Sequence, residues 1–361
     1  MMCIFSNCEK IYRINYRKSE FMSLREYIRY RKHRNSHIKY YTINYLRFCI
    51  PSCFSQCRRE NILSQYALMN SEEQQYILSR VNYYNKLSNE YGAVKIEDNE
   101  MHFYPLSQLK IHGTYNGNRA RTVYVFDTWE NIRYFKQSYK AGFLFGDVTE
   151  ISSVPCFVKS RPIKGENENS VVLNMEKVRH FMFIKNDRKE FTDKKNMLIG
   201  RAFINQSHRK RFYEIYFGHP MCNLGDANKK NTAHREWVVK PMSIDEHLDY
   251  KFILALEGND VASNLKWIMS SNSLAVMPRP TFETWFMEGK LIPNYHYMEI
   301  KSDFSDLEER MKYYITHPDE ANEIIRHAHE YIAQFFNKKR EHLIGLMVTN
   351  KYFVSTGQKE K

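Results

Sequence analysis

Short apolar and β-branched runs recur along the chain from residue 121 onward, and several segments with helical spacing lie between them. The runs occupy residues 121–126, 141–145, 156–158, 181–184, 198–204, 252–256, 274–277 and 297–300. Short continuous apolar runs suit strands that are buried on both faces, as in parallel sheets. The alternation of strands and helices therefore predicts an α/β fold with largely parallel sheets.

Three further segments predict helices. Residues 71–86 have helical spacing behind an acidic first turn, and Ser305 with Glu308 has the pattern of a capping box for a helix through Tyr314. Pro318 suits the first turn of a longer helix. Apolar residues recur at helical spacing along that helix: Ala321, Ile324, Ile325, Ala328, Ile332, Phe335 and Phe336. We interpret this stripe as core.

The clearest unit joins the runs 252–256 and 274–277 through a helix. The helix would carry one apolar face: Val261, Leu265, Ile268 and Met269. Gly258 lies in the turn after the first strand, and Asn259 or Asp260 can cap the helix by accepting from its first amides. Free amides and a helix dipole at this turn would seat a phosphate, although one glycine alone is weak support.

The net charge of +13 is concentrated at the beginning of the chain. Residues 1–60 hold 13 Lys+Arg and four Asp+Glu, whereas the other 301 residues hold 41 and 37. In residues 23–59 the basic side chains alternate with tyrosines and aliphatic residues, which suits an interfacial helix on anionic lipid. The same composition suits RNA or a solvated tail. Composition leaves the three interpretations open.

The motifs that the sequence lacks argue against several classes of nucleotide-dependent and metal-dependent enzymes. The sequence contains no GxGxxG, no GxxxxGK[ST], no HExxH and no Asp-x-Asp. An enzyme of this sequence that handles a nucleotide diphosphate would neutralise it with Arg, Lys and helix dipoles, so we expect no metal site. Cys49, Cys53 and Cys57 recur every fourth residue, which predicts a small apolar stripe on a helix, with a metal site as the minor alternative.

The chain contains no uncharged apolar stretch of the length that a membrane-spanning helix needs. Glu9 and Lys10 interrupt the start before a signal segment can form, and Met22 offers an alternative start. The seven cysteines are an odd number in a long chain, which argues against a disulfide framework. We expect a protein that stays in the cytoplasm.

Two candidate site residues follow apolar runs. Asp147 follows Gly146 at the end of a predicted strand, where a carboxylate can act as a general base or simply cap a turn. Arg201 ends another run, and its apolar neighbours suggest partial burial, which requires an anionic partner. Arg209 lies in a basic segment with Lys210 and Arg211, and arginine is suited to binding oxyanions. The alternative interpretation of this segment is a solvated basic helix face.

These segments resemble a known family. The stretches GDVTEISSVPCFVKSRPI, GRAFINQSHRKRF, YKFILALEGNDVASNLKWIMSSNSLAVMP and FETWFMEGKLIPNYHYMEIKSDFSDLEE are similar to glycosyltransferase family 90. The resemblance covers residues 70–335, is strongest over 143–297, and favours the bacterial lipopolysaccharide core branch. Fungal capsule xylosyltransferases and animal protein O-glucosyltransferases belong to the same family.

The resemblance implies a GT-B architecture with two Rossmann-like domains across a cleft, and inverting transfer from a UDP-sugar without a metal or other cofactor. It places the catalytic base on Asp147 and a diphosphate contact on Arg201. Asn264 stands where the animal enzymes have a second nucleotide-binding arginine, so that contact is absent or replaced by Lys266. The expected donor-binding set is Arg201, Arg209, Gly258, Asn259, Asp260, Asn264, Lys266 and Glu283. Trp285 matches a family pattern without an assigned role.

The expected organisation is a basic N-terminal arm at residues 1–66, an acceptor domain with the base at 67–195, a donor domain at 196–335 and a C-terminal helix or tail at 336–361. The expected donors are UDP-glucose, UDP-galactose or UDP-xylose, and the expected acceptor is lipopolysaccharide core. The arm would hold the enzyme at the inner face of the bacterial inner membrane. The alternatives are the same chemistry on another glycan or a protein serine, or a basic nucleic-acid-binding protein. Most excess charge lies in the arm, so we expect no nucleic-acid partner.

Overall fold

A computed structural model describes residues 30–88 and 102–358. The fold is α/β, as predicted. The described residues form strands β1 (Tyr104–Pro105), β2 (Thr114–Tyr115), β3 (Asn118–Arg119), β4 (Lys140–Leu144), β5 (Cys156–Val158), β6 (Ser160–Pro162), β7 (Ser170–Val172), β8 (Lys195–Ala202), β9 (Cys222–Asp226), β10 (Tyr250–Leu254), β11 (Leu274–Met277), β12 (Phe282–Thr284) and β13 (Met298–Glu299).

The described helices are α1 (His37–Cys49), α2 (Cys53–Ser64), α3 (Ser71–Tyr84), α4 (Thr122–Ile132), α5 (Lys177–His180), α6 (Ser207–Tyr216), α7 (Ile244–His247), α8 (Leu265–Ile268), α9 (Leu307–Thr316), α10 (Pro318–Ala333) and α11 (Lys338–Ser355). Among them, no helix is both long enough and apolar enough to cross a membrane.

Two sheets form the frame. The first has the order β1-β4-β5-β7, in which β1 is antiparallel to β4 and the other neighbours are parallel. The second has the order β13-β11-β10-β8-β9 and is entirely parallel. The antiparallel ribbon of β6 and β12 joins the segment that follows β5 to the segment that follows β11.

The strand order of the second sheet creates a crevice. From the interior strand β8 the chain passes to β9 on one side and later to β10 on the other, so the connections leave in opposite directions. In open parallel sheets, such a switch point leaves a crevice at the carboxyl ends of the two strands, where ligands bind. All five residues of β10 are buried, as a strand covered on both faces requires.

Successive residues of β10 and β11 contribute to two cores. Phe252, Leu254 and Val276 belong to the cluster on one face of the second sheet. Ile253 and Ala275 belong to the other cluster, which continues into the apolar residues of the first sheet. The two sheets therefore share the second of these cores, whereas the first lies against the second sheet alone. The domain boundaries stay a prediction.

The part of the N-terminal arm that the structure describes packs against α4. The Tyr40 hydroxyl donates to Asp127 at 2.8 Å. Aromatic rings supply the apolar contact: Tyr45 on Phe126 at 4.8 Å and Phe48 on Trp129 at 5.1 Å between centroids. Residues 1–29, including Met22, lie outside the described part of the chain.

The C-terminal segment packs back on the first sheet. The Tyr352 hydroxyl, on α11, accepts from the Gly142 amide at 3.0 Å and donates to the Pro155 carbonyl at 2.8 Å. The predicted helix from Pro318 is confirmed as α10, and its stripe is buried except for Phe336, which is 53% exposed. The predicted helix at 71–86 is confirmed as α3, capped by Asn70.

Two predicted strands are wrong. Residues 121–126 belong to α4, which is buried on most sides, so its apolar run resembles that of a strand. Residues 181–184 form no strand because side chains satisfy their backbone groups: Asn35 donates to the Phe181 carbonyl at 2.9 Å, and the Ile184 amide donates to Ser270 at 2.7 Å. The other six runs contain strands, although their ends differ by up to three residues.

Three local patterns also differ. The capping box at Ser305 does not form, because the Ser305 hydroxyl donates to Asp303 at 2.9 Å and Asp306 is the N-cap of α9. The cysteine stripe is interrupted at Pro51, since Cys49 ends α1 and Cys53 begins α2. Cys49, Cys53 and Cys57 are all exposed, so they form no buried stripe.

Trp285 is a large buried side chain whose truncation should be strongly destabilising. It is 1% exposed, stacks on Tyr84 at 3.9 Å between centroids, and donates from its indole nitrogen to Glu341 at 2.6 Å. We expect Trp285→Ala to lower the free energy of unfolding by about 3–5 kcal/mol, measured by urea unfolding. Ile292→Ala, at a residue that is 54% exposed, is the control and should cost below about 0.5 kcal/mol. Equal losses would contradict the packing assignment.

Candidate functional site

A cavity of 360 Å³ lies at the carboxyl ends of β8 and β10, at the switch point of the second sheet. Asp147 and Arg179 face it from the first sheet's side. Seven predicted site residues line this one cavity: Asp147, Arg201, Arg209, Gly258, Asn259, Asp260 and Asn264. The structure therefore brings the expected base and most of the expected donor-binding residues together, while their roles stay predictions.

Asp147 follows β4 at a turn that needs glycine. Gly146 has a φ of 126°, a conformation that side chains with a Cβ rarely adopt. Asp147 Oδ1 lies 2.5 Å from Lys159 Nζ, and Asp147 Oδ2 accepts a longer bond of 3.3 Å from the Asn259 amide. Burial raises the pKa of Asp147, but the Lys159 ammonium outweighs it, so the net pKa is below its usual value. Asp147 is therefore an ionised carboxylate at neutral pH.

Lys159 also contacts Asp260, a second residue that lines the cavity. Its side chain is 1% exposed, and its Nζ lies 2.6 Å from Asp260 Oδ2. The Ser160 hydroxyl donates to the same Asp260 oxygen at 2.7 Å. Lys159 follows β5 directly, so this lysine joins the loop after β4 to the loop after β10.

These contacts correct the expected phosphate seat. The carboxylate of Asp260 is engaged by Lys159 and Ser160 and caps no helix. The helix of this unit, α8, has four residues and begins after Asn264, whose amide donates instead to the Leu254 carbonyl at 2.9 Å. A single turn has little dipole, so a phosphate in this cavity would depend on side-chain cations.

Arg201, near the end of β8, is held by neutral oxygens. Its Nη1 donates to the carbonyls of Gly200 at 2.9 Å and Asn223 at 2.7 Å, and its Nη2 donates to Asn223 Oδ1 at 2.7 Å. Its Nε is buried and has no hydrogen-bond partner within the described ranges. Burial lowers the pKa of Arg201, although an arginine remains charged at neutral pH.

Arg209, on α6, repeats this arrangement. Its Nε and Nη2 donate to the carbonyls of Glu257 and Leu256, each at 2.8 Å, and burial lowers its pKa. Among residues 30–88 and 102–358, no carboxylate lies within ion-pair distance of Arg201 or Arg209. The anionic partner that sequence reasoning required for Arg201 is therefore missing from the described protein, and the cavity wall carries two uncompensated cations.

Arg179, on α5, was missed by sequence reasoning. It lines the cavity, is 46% exposed, and pairs with the buried Glu176 at 3.0 Å. No motif surrounds it, and α5 is one short turn that starts at Glu176 with a φ of 58°. The position of Arg179 at the cavity follows from tertiary packing and not from a local sequence pattern.

Lys266 and Glu283 do not line the cavity, which corrects their expected placement. Lys266 is buried and pairs with Glu288 at 2.7 Å. Glu283 is buried, accepts from Arg161 Nε at 2.8 Å and also accepts from the Tyr83 hydroxyl. Both are charges compensated inside the protein, so we assign them a structural role.

The cavity is thus lined both by an ionised carboxylate and by two arginines that have no carboxylate partner among the described residues. A polyanionic group fits the arginines, because guanidinium donates paired hydrogen bonds to phosphate oxygens. A hydroxyl next to Asp147 could lose its proton to Oδ2, whose one bond, from Asn259, is long at 3.3 Å. Such an arrangement suits group transfer from a donor with a polyanionic leaving group.

Comparison with known proteins identifies the class. The model of glycosyl transferase family 90 matches residues 176–347. The chain is 38% identical over 325 residues to the O-glucosyltransferase LpsA of Dichelobacter nodosus, a match that covers 89% of this chain and 96% of that protein. It is also 27% identical over 129 residues to the uncharacterized protein 179R of Invertebrate iridescent virus 6, covering 33% of this chain and 11% of that protein.

The chain belongs to glycosyltransferase family 90. Its class is that of the glycosyltransferases, which favours the enzyme interpretation over the nucleic-acid-binding alternative.

The uncompensated cations lead to a binding prediction. We expect Arg201→Met and Arg209→Met each to weaken UDP and inorganic pyrophosphate binding about 10- to 100-fold in calorimetry, since each removes charged hydrogen bonds to the anion. Arg211→Met is the matched control: Arg211 lies on the same helix as Arg209 but is exposed and outside the cavity. Unchanged affinity in the first two variants would contradict anion binding here.

Proposed function

We propose that this protein is an inverting glycosyltransferase that moves a hexose or pentose from a UDP-sugar to a hydroxyl of lipopolysaccharide core. The observation that carries the proposal is that Asp147, Arg201 and Arg209 line one cavity. A GT-B architecture is part of the proposal. It is supported by the second, Rossmann-like sheet, whose switch point opens toward the carboxyl end of β4 in the first.

The donor diphosphate would lie against Arg201 and Arg209. Their charges would stabilise the UDP that leaves, in place of a carboxylate-held metal, so the proposed reaction is metal-independent. UDP-glucose, UDP-galactose and UDP-xylose are the candidate donors. The printed name of the Dichelobacter relative, an O-glucosyltransferase, favours UDP-glucose.

The acceptor hydroxyl would approach from the side of Asp147. Its oxygen attacks the anomeric carbon as the bond to UDP breaks, and the bonding electrons leave with the diphosphate. Asp147 Oδ2 takes the hydroxyl proton as the new bond forms, because Oδ1 is engaged by Lys159. Attack opposite the leaving group inverts the anomeric carbon.

The arm supplies a surface for an anionic membrane. Residues 30–59 contain seven Lys+Arg and no Asp or Glu. Several apolar side chains of α1 and α2 are exposed beside the charged ones, with Ile38 67%, Leu46 63% and Phe54 65% accessible. Such rings and aliphatic side chains can enter the acyl boundary while the cations meet headgroups, as at the inner face of a bacterial inner membrane.

The general base gives the decisive test of the proposal. We expect Asp147→Asn to abolish transfer from UDP-glucose to rough-type lipopolysaccharide while UDP affinity stays within about threefold, because the lost carboxylate contacts the acceptor and not the diphosphate. Product analysis by mass spectrometry and calorimetry measure the two quantities. Full transfer by this variant would remove the base assignment. Transfer to a protein serine and not to the glycolipid would favour the alternative acceptor.

The outer face of the arm gives a second test. We expect the double variant Leu46→Ser/Phe54→Ser to bind phosphatidylglycerol vesicles at least about tenfold more weakly in co-sedimentation, since it removes two apolar anchors. Phe336→Ser, which removes an exposed ring outside the arm, is the matched control. Equal binding by the double variant and wild type would place the membrane contact elsewhere.

A further inference from the structure

Lys159 is a buried cation at the meeting point of three segments. It lies between β5 and β6, and its Nζ contacts Asp147 Oδ1 at 2.5 Å and Asp260 Oδ2 at 2.6 Å. Asp147 comes from the loop after β4, and Asp260 comes from the loop after β10. One ammonium group therefore connects the proposed base to the wall of the proposed donor site.

We propose that Lys159 is a positioning residue of the transfer reaction, which fixes the orientation and the ionised state of Asp147 and ties it to the donor loop at Asp260. The inference rests on the proposed role of Asp147 as base. It assigns a function to a residue that motif reasoning left unassigned.

The exposures of the three side chains support this role. A lysine that is 1% exposed needs anionic partners, and Asp260, whose side chain is 4% exposed, is buried with it. Asp147 differs, because its side chain is 31% exposed and lines the cavity. A pair needed only for packing would be covered like Lys266 and Glu288, whose side chains are at most 1% exposed.

The two carboxylate oxygens of Asp147 have different contacts. Oδ1 is held by the lysine, so the carboxylate cannot rotate without losing a buried ion pair. Oδ2 accepts only a 3.3 Å bond from Asn259 among the described residues. It retains the capacity to take a proton from an acceptor hydroxyl.

Several charged or titratable groups face Asp147. Lys159 and Arg179 favour its ionised form, whereas burial and the carboxylate of Glu176 oppose it. Tyr124, from α4, also faces it, and the Asp147 charge helps to raise the pKa of that phenol. Without Lys159, burial and Glu176 would prevail over Arg179, which is half exposed and already pairs with Glu176. Lysine removal should therefore raise the pKa of Asp147.

The test compares Lys159→Gln with wild type in the full-length protein. Asp147 is followed by NMR of ¹³C-carboxyl-labelled aspartate, and its resonance is assigned by its loss in Asp147→Asn. We expect the titration midpoint to rise by about 1–3 pH units in Lys159→Gln. The acid limb of kcat/KM for UDP-glucose hydrolysis should move in the same direction.

Lys194→Gln is the matched control. Lys194 is also a buried lysine, paired with Asp187 at 2.7 Å, but it lies outside the cavity. This variant should lose stability while the Asp147 midpoint and the acid limb stay in place. Lys159→Arg keeps the charge, so it should keep the acid limb near its wild-type position while kcat falls.

Two outcomes overturn the inference: an unmoved Asp147 midpoint in Lys159→Gln, or an equal shift in Lys194→Gln. If Lys159→Gln does not fold, Asp260→Asn replaces it. It removes one of the two close carboxylates of Lys159 and leaves Asp147, with Glu176 at the longer distance of 4.0 Å, so the midpoint should fall, and a midpoint that does not fall overturns the inference. Transfer that survives in Asp147→Asn would instead refute the proposed base. The titration needs no turnover, so the two failures are distinguishable.

Discussion

Two arginine cations at the edge of a parallel sheet are bound by neutral oxygens and by no carboxylate among the described residues. Arg201, on β8, donates to the carbonyls of Gly200 and Asn223. Arg209, on α6, donates to the carbonyls of Leu256 and Glu257, which follow β10. These bonds fix the guanidinium groups in place, but no carboxylate among the described residues neutralises their charge. The proposed diphosphate would neutralise this charge, so the same two arginines link the carboxyl edge of the sheet to the proposed choice of donor.

Much of the frame could be predicted from the sequence. Apolar runs located six of the strands, because buried parallel strands have few polar positions to obscure the pattern. The rule that ligand-facing loops follow strand ends singled out Asp147, and apolar neighbours singled out Arg201. In the structure Asp147 lies in the loop after β4 and Arg201 lies within β8, and both line the cavity, while their roles stay predictions. Where an element was buried on all sides, as α4 is, the run no longer distinguished a helix from a strand.

The rest of the site depends on contacts between distant segments. Lys159 contacts Asp260, which is about a hundred positions later in the sequence, and no local spacing indicates that partner. Lys266 and Glu283 showed the opposite problem: their residue types suited a donor site, but their charges are compensated inside the protein. A charged residue that pairs with another residue of the protein has a structural role, whereas one that lacks such a partner can bind a substrate. Only the tertiary arrangement contains that information.

The position of α11 has a consequence for the order of folding. Its Tyr352 bonds to Gly142 and Pro155 across sequence separations of 210 and 197 residues. Contacts of such high order form late, since the chain must close a very long loop to make them. The first sheet, whose strand β4 precedes the Asp147 loop, therefore gains these two bonds only after Tyr352 has been synthesised, although its own strands emerge from the ribosome before those of the second sheet.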